Sequence, residues 1–322
     1  MKIDWVVSAE PTSSKHDPAS RECELFSSPE WIPVLKALGA TPRFLWSPSR
    51  RIGMQLAIFH RLGLKIGYLG FPVAGERFDE MDDEAMHRLA SEIQKTAGIS
   101  LLRLVRSGQK EIAPTATAAF PEARIDRLED WVPKDKRLQK DLAFARRSSA
   151  DLQIRGECTD PAACHLLYCE AVRAHGGKVR YTLNYFSCLA RLADRDPRLR
   201  FYIAVDVYDR IRGFSVVAKN QRTAYYLHGA VGGSYRKTGI GDRLVHRMIR
   251  GAAEMGCTRL TMMASPWKQP GLHSYKMKWC ENQRLTSTTD YARGLSGSLL
   301  SVGSRFTVRK WRKHAQNWHS TK

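Results

Sequence analysis

Six residues, Arg236-Lys237-Thr238-Gly239-Ile240-Gly241, join two cations and two glycines at the start of a helical pattern. That combination can hold an anion. The first turn of a helix has backbone N–H groups without intrahelical partners and carries the positive end of the helix dipole. A phosphate placed there is stabilised. Glycines at 239 and 241 keep side chains out of its way, and Arg236 and Lys237 add charge.

The elements around the turn give it physical sense. Tyr225, Tyr226, Leu227, Ala230 and Val231 read as a strand running into it. After it, Leu244, Val245, Met248, Ile249 and Ala252 recur at helical spacing. A second strand, Leu260 to Ala264, follows. Strand, glycine turn, helix and strand together aim free N–H groups at one point.

Charge is distributed unevenly. Residues 1–130 hold 17 Lys and Arg against 18 Asp and Glu, whereas residues 131–322 hold 35 against 14. The entire excess of the +20 chain therefore lies in the part that carries the turn. Such a surface suits a polyanion: a phosphorylated small molecule, a tRNA, or an anionic lipid. The stretch 300–322 contains Arg305, Arg309, Lys310, Arg312, Lys313 and Lys322 and no acid, and reads as a basic tail.

Several classes are excluded. No run of 18 apolar residues exists, and no charged segment followed by an apolar one marks the N-terminus, so a cytoplasmic protein is expected. The seven cysteines are scattered without a Cys-x-x-Cys, which predicts reduced thiols rather than a disulfide frame, and no metal site is expected. Cys164 and Cys169 fall on a predicted helix as small core residues. Gly-x-Ser-x-Gly, His-x-x-x-His and Walker loops are missing too.

Along the chain, a helix at Glu30–Leu38 precedes strands at Gly53–Phe59 and Leu64–Leu69. A helix at Asp79–Ala97, with Met81, Ala85, Leu89 and Ile93 on one side, leads to a buried strand at Leu101–Val105. From residue 131 a similar order restarts: a basic helix at 134–148, a strand at Asp151–Arg155, a helix capped by Thr159-Asp160-Pro161, and another at Tyr185–Ala193. Strands at Phe201–Val207 and Gly213–Ala218 follow, and Gly271–Cys280 looks helical. This predicts two α+β units, at 1–130 and 131–299, followed by the tail at 300–322.

The pattern Arg-x-x-Gly-x-Gly at 236–241 resembles the coenzyme A loop of GNAT acyltransferases. The whole chain resembles the Fem-like acyl and aminoacyl transferases, which join two GNAT units and include cellulose-biosynthesis-type acetyltransferases. Tyr68-Leu69-Gly70-Phe71-Pro72, Ala143 to Arg147, Tyr225 to Ala230, Ala252 to Cys257, and Gly271-Leu272 followed by Tyr275 to Trp279 carry that likeness. Cys280 stands where the family usually has glycine. The resemblance implies two tandem GNAT-like units, each a mixed, mostly antiparallel sheet flanked by helices, with only the second holding a donor.

It further implies acyl-CoA as donor. Arg236, Lys237, Thr238, Gly239, Ile240 and Gly241 would hold its pyrophosphate, while backbone at Ala230 and Val231, on a splayed strand, would pair with the pantetheine arm. Tyr275 would serve the leaving thiolate, and Lys276 would contact phosphate or the transition state. His228 is the candidate base, because imidazole titrates near neutrality. The acceptor would be an amine or hydroxyl of a small-molecule, lipid-linked or cell-envelope precursor. Two alternatives stay open at this point: aminoacyl transfer from tRNA, and a non-catalytic module that binds nucleic acid or, peripherally through its tail, the anionic inner face of the membrane.

Overall fold

The computed structural model describes residues 6–8, 24–47, 52–61, 63–74, 82–112, 115–294 and 297–298. The chain divides into two compact units, Met1–Glu122 with Ala264–His273 and Gln283–Lys322, and Ala123–Met263 with Ser274–Asn282. The basic tail at 300–322 lies outside the described residues.

In the first unit β1 (Val6–Ser8), α1 (Ile32–Ala37), β2 (Thr41–Ser47), β3 (Ile52–Arg61) and β4 (Leu64–Leu69) are followed by α2 (Asp83–Ala97) and β5 (Leu101–Gln109). β1 to β4 pair antiparallel in chain order, and β4 pairs parallel with β5. Asp82 caps α2 by accepting from Ala85 N at 2.7 Å, and Gly98 ends it at φ 63°. Met86, Leu89, Ala90 and Ile93 are its buried stripe, packed with Leu45, Leu56, Leu69, Leu102 and Leu104. The stripe thus includes Met86 where Ala85 was expected; Met81 lies outside the described residues.

β6 (Ala118–Ile125) leads into the second unit, built from α3 (Lys136–Ser148), β7 (Gln153–Arg155), α4 (Pro161–Ala174), α5 (Leu183–Ala193), β8 (Leu199–Val205), β9 (Ile211–Asn220), β10 (Thr223–Val231), α6 (Ile240–Glu254), β11 (Arg259–Ala264) and, from Ser274 on, the second half of α7 (Pro270–Met277). β7 to β10 are again antiparallel neighbours, and β10 pairs parallel with β11. The two units therefore share a plan of antiparallel strands closed by a strand–helix–parallel strand step, as expected for an α+β fold of mixed, mostly antiparallel sheets.

One expectation is corrected. The second unit does not run through to 299, because β12 (Asn282–Ala292) pairs antiparallel with β5, Ser287 opposite Arg106 and Tyr291 opposite Leu102. Its Thr- and Ser-rich sequence lacks apolar alternation, and its place is set by a partner far away in the chain. Glu122, fully buried, ties this region together by accepting from Ser107 Oγ (2.8 Å), Gly108 N (3.1 Å) and Thr286 Oγ1 (2.6 Å).

Two layers cover the strands of the second unit. α6 lays Leu244, Val245, Met248, Ile249 and Ala252 against Tyr202, Val217, Leu260 and Met262. Phe186 of α5 meets Phe214 of β9 edge-on at 5.9 Å on the other face. Gly251 of α6 faces the Tyr202 side chain: a Cβ there would stand 1.6 Å from the hydroxyl. Gly251→Ala gains about 1 kcal/mol of helix propensity, but overpacking costs about 1–3 kcal/mol. A net loss of up to about 2 kcal/mol is expected in a urea melt. A variant as stable as the parent would show that the Tyr202 ring swings aside freely.

Candidate functional site

The two parallel strand pairs differ. β4 stays paired with β5 to its last residue, Leu69 opposite Leu104. β10 pairs with β11 only over Thr223–Tyr225, opposite Arg259–Thr261, although it continues to Val231. Beyond that point the facing edges of β10 and β11 are no longer each other's partners, and their amides can serve an extended ligand. Ala230 and Val231 lie on this stretch.

β10 is also irregular against β9. Tyr226 sits opposite Val217, and after a one-residue slip His228 sits opposite Val216, leaving Leu227 as the extra residue of a bulge. In a regular strand Tyr226 and His228 would share a face. Here Tyr226 packs with the α6-side core, and His228 stands among rings on the opposite face: Tyr181 at 4.7 Å, Tyr185 and Phe186 at 5.4 Å, Tyr168 at 5.9 Å. The Tyr185 hydroxyl meets His228 Nε2 at 2.8 Å. Burial pushes the imidazole pKa down to about 3, so the ring is neutral at pH 7 and a weak base. The bulge therefore separates His228 from the other expected catalytic residues.

The turn forms as a 3-10 segment, Gly233–Thr238, ending at Gly239 with φ 75°, directly before α6. Thr238 Oγ1 donates to Tyr235 O at 2.8 Å, Tyr235 N to Gly232 O at 2.9 Å, and the Arg212 guanidinium lies over the Tyr235 ring at 5.3 Å. Arg236 and Lys237 are exposed, available to a ligand. Arg243 is committed elsewhere, donating to the carbonyl and hydroxyl of Ser149 at the end of α3.

The two glycines have different surroundings. A Cβ on Gly239 would lie 2.6 Å from Ala145 Cβ and 2.9 Å from Ala145 Cα, so the missing side chain lets α3 pack close to the turn. A Cβ on Gly241 would meet Val231 Cγ2 at 3.4 Å and the Tyr275 hydroxyl at 3.7 Å, both ordinary contacts. Ile240 N donates to Thr238 Oγ1 at 3.4 Å, and Asp242 N to Gly239 O at 2.9 Å.

Tyr275 is thus brought to the start of α6. Burial, with the nearby Asp242 carboxylate and Tyr226, holds its hydroxyl pKa well above the ordinary 10. Asp242 is itself gripped by Lys278 Nζ at 2.8 Å, and Lys278 also reaches Asp141 at 2.8 Å. Lys276, expected to contact phosphate or the transition state, is buried and donates from Nζ to Met263 O at 3.1 Å. Met263 has φ 59°, a left-handed conformation that bulky residues seldom adopt. Lys276 and the Met263 N–H bond to Thr261 Oγ1 (2.9 Å) hold the end of β11 in that shape. Among the described residues no group of three or more His, Cys, Asp and Glu could hold a metal ion.

Sequence reading missed Tyr226, Asp242 and Lys278. Tyr226 lies over Gly229, where a Cβ would meet its hydroxyl at 1.8 Å, and burial raises its pKa to about 12. Asp242 was detectable as an acid in the first turn of the helix. Nothing local marks its partner Lys278.

Residues 137–277 match the family model described as acetyltransferase (GNAT) domain, a span that runs from α3 to α7 and takes in the turn, His228, Tyr275 and Lys276. No curated protein matches the chain. Among solved structures, the fold resembles FemX (TM-score 0.65, 13% identity, 92% of this chain and 99% of that one). It also resembles L-PGS from Bacillus licheniformis (0.52, 15%, 84% and 91%) and a conserved protein of unknown function from Bacteroides thetaiotaomicron (0.51, 12%, 83% and 93%).

Proposed function

We propose that the protein is an acyltransferase that draws its acyl group from acyl-CoA held by the second unit and passes it to an amine or hydroxyl of a small-molecule or cell-envelope precursor. The observation that carries this reading is the early parting of β10 from β11 beside the start of α6. The pantetheine arm is an extended chain with amides, and the released strand edges at Leu227–Val231 offer it matching groups. The turn, with exposed Arg236 and Lys237 and the α6 N-terminus, supplies charge for the phosphates. Tyr275, on the same side, has a hydroxyl that can meet the leaving sulfur.

Its raised pKa shapes that role. A thiol ionises near 8.5, so a phenol held well above 10 keeps its proton. It stabilises the departing thiolate by donating a hydrogen bond. The Asp242 carboxylate, held by Lys278, helps burial keep that phenol protonated. Lys276 shapes the end of β11 through Met263 and acts as a positioning residue. His228 does not enter the proton transfer in this reading, since its ring lies on the other face and protonates only in acid.

Isothermal titration with acetyl-CoA and longer acyl-CoAs should give saturable binding, weakened about five- to tenfold by Arg236→Ala, as expected for one charge-assisted contact. Absence of binding by every acyl-CoA overturns the donor assignment. The charge excess of residues 131–322 supports a second reading, aminoacyl transfer from tRNA. Release of labelled amino acid from charged tRNA in the presence of acceptor would favour it.

A further inference from the structure

Two thiols outside the proposed site face each other where α4 begins. Cys158, in the loop between β7 and α4, has its Sγ 3.7 Å from Sγ of Cys164, which lies on the first turn of α4. Cys164 is fully buried and Cys158 is half-buried. The other described thiols of this region are engaged differently: Cys169 Sγ lies 3.4 Å from His165 Nε2, and Cys188 Sγ accepts from Arg191 Nη2 at 3.1 Å. Between the paired cysteines stands the helix cap, Asp160, which accepts from Ala162 N at 2.9 Å and Ala163 N at 3.0 Å.

We propose that Cys158 and Cys164 are a dithiol that a hydroperoxide oxidises reversibly to a disulfide across the N-terminal cap of α4. The geometry assigns the order of events. Cys158 is the thiol that solvent reaches, so it attacks the peroxide first. An S–O bond forms, the O–O bond breaks, and the departing oxygen leaves as water or alcohol with the thiol proton. Cys164 then attacks the Cys158 sulfenic acid: the S–S bond forms, the S–O bond breaks, and water leaves with the Cys164 proton. Two thiols lose two electrons in all, and the peroxide takes them up.

Two physical features favour this chemistry. Exposure gives one reactive and one resolving partner, the half-buried Cys158 and the buried Cys164. Across the 3.7 Å contact a thiolate on Cys158 can accept from the Cys164 thiol, which lowers the pKa of Cys158 and raises that of Cys164. A disulfide needs sulfurs about 2.05 Å apart, and side-chain rotation in the loop at 156–159, where Gly156 has no neighbour within 4 Å of a built Cβ, can supply the remaining approach.

Peptide mapping tests the pair. Trypsin releases Gly156–Arg173 as one peptide containing Cys158, Cys164 and Cys169. The reduced full-length protein is treated with hydrogen peroxide, denatured, and alkylated with iodoacetamide. The expected peptide is lighter by two hydrogens, carries one alkyl group, on Cys169, and returns to triple alkylation after dithiothreitol. Cys169→Ser should leave the disulfide intact. Cys164→Ser should stop at a sulfenic acid on Cys158, trapped by dimedone. If the buried Cys164 variant fails to fold, Cys158→Ala, at the half-buried position, should abolish the disulfide while the reduced protein melts like the parent. Triple alkylation after peroxide, or a disulfide that uses Cys169, overturns the proposal.

Discussion

Tyr275→Phe should lower kcat about 10²–10³-fold, the loss typical when one donor aimed at developing negative charge is removed. Affinity for acyl-CoA should change little. The phenyl ring keeps the packing of Tyr275 against the α6-side core, so the fold is retained and only the hydroxyl disappears. The pH dependence separates this role from that of an ordinary phenol. Because burial and Asp242 raise the Tyr275 pKa well above 10, the protonated donor persists as pH rises through 10, where an unperturbed phenol would be half ionised. Parent kcat should therefore show no decline assignable to Tyr275 between pH 7 and about 10. The stability contributed by the protonated phenol follows the same sign: it is present below pH 10 and lost as pH climbs through the raised value. Single-turnover measurements with saturating acyl-CoA give the comparison. If Tyr275→Phe retains parent kcat while Tyr226→Phe takes the loss, the leaving sulfur meets the other phenol and the assignment of Tyr275 is wrong.

The turn before α6 was legible because its signals are local. Glycines, cations and the apolar stripe of α6 lie within one short stretch, and each depends on backbone rules rather than on distant neighbours. The face occupied by His228 was not legible. Its strand was recognised, yet one extra residue at Leu227 reverses the alternation, and nothing in Tyr226-Leu227-His228 announces a bulge. β12 escaped for a different reason. Its sequence, Asn282 to Ala292, is mostly polar, and its pairing with β5 closes over a great length of chain. Lys276 shows a third limit. The resemblance placed it as a contact to phosphate or the transition state, whereas in the structure its ammonium is buried and donates to the carbonyl of the left-handed Met263. Tyr275 was placed from the resemblance, and the structure supplies what the resemblance lacked: its closeness to Gly241 and to Asp242, which Lys278 in turn holds.

Gly239→Ala and Gly241→Ala should fail in different ways, although the two glycines look equivalent in the sequence. Gly239 has φ 75°, and an L-residue there costs about 1–2 kcal/mol. Its new Cβ would also press into Ala145 of α3 at 2.6 Å, against backbone at 2.9 Å. Overpacking adds roughly 1–3 kcal/mol. The turn would move away from α3, taking the start of α6 with it, so both the melting midpoint and acyl-CoA binding should drop. Gly241 lies inside the first turn of α6, and its Cβ would meet nothing closer than 3.4 Å. Alanine is there the better helix former by about 1 kcal/mol. Gly241→Ala should melt at or above the parent temperature while binding acyl-CoA less tightly, because the methyl group occupies the surface on which the phosphates approach. Paired thermal melts and titrations separate the two. Parent-like binding by the stable Gly241→Ala protein would place the donor phosphates away from this turn.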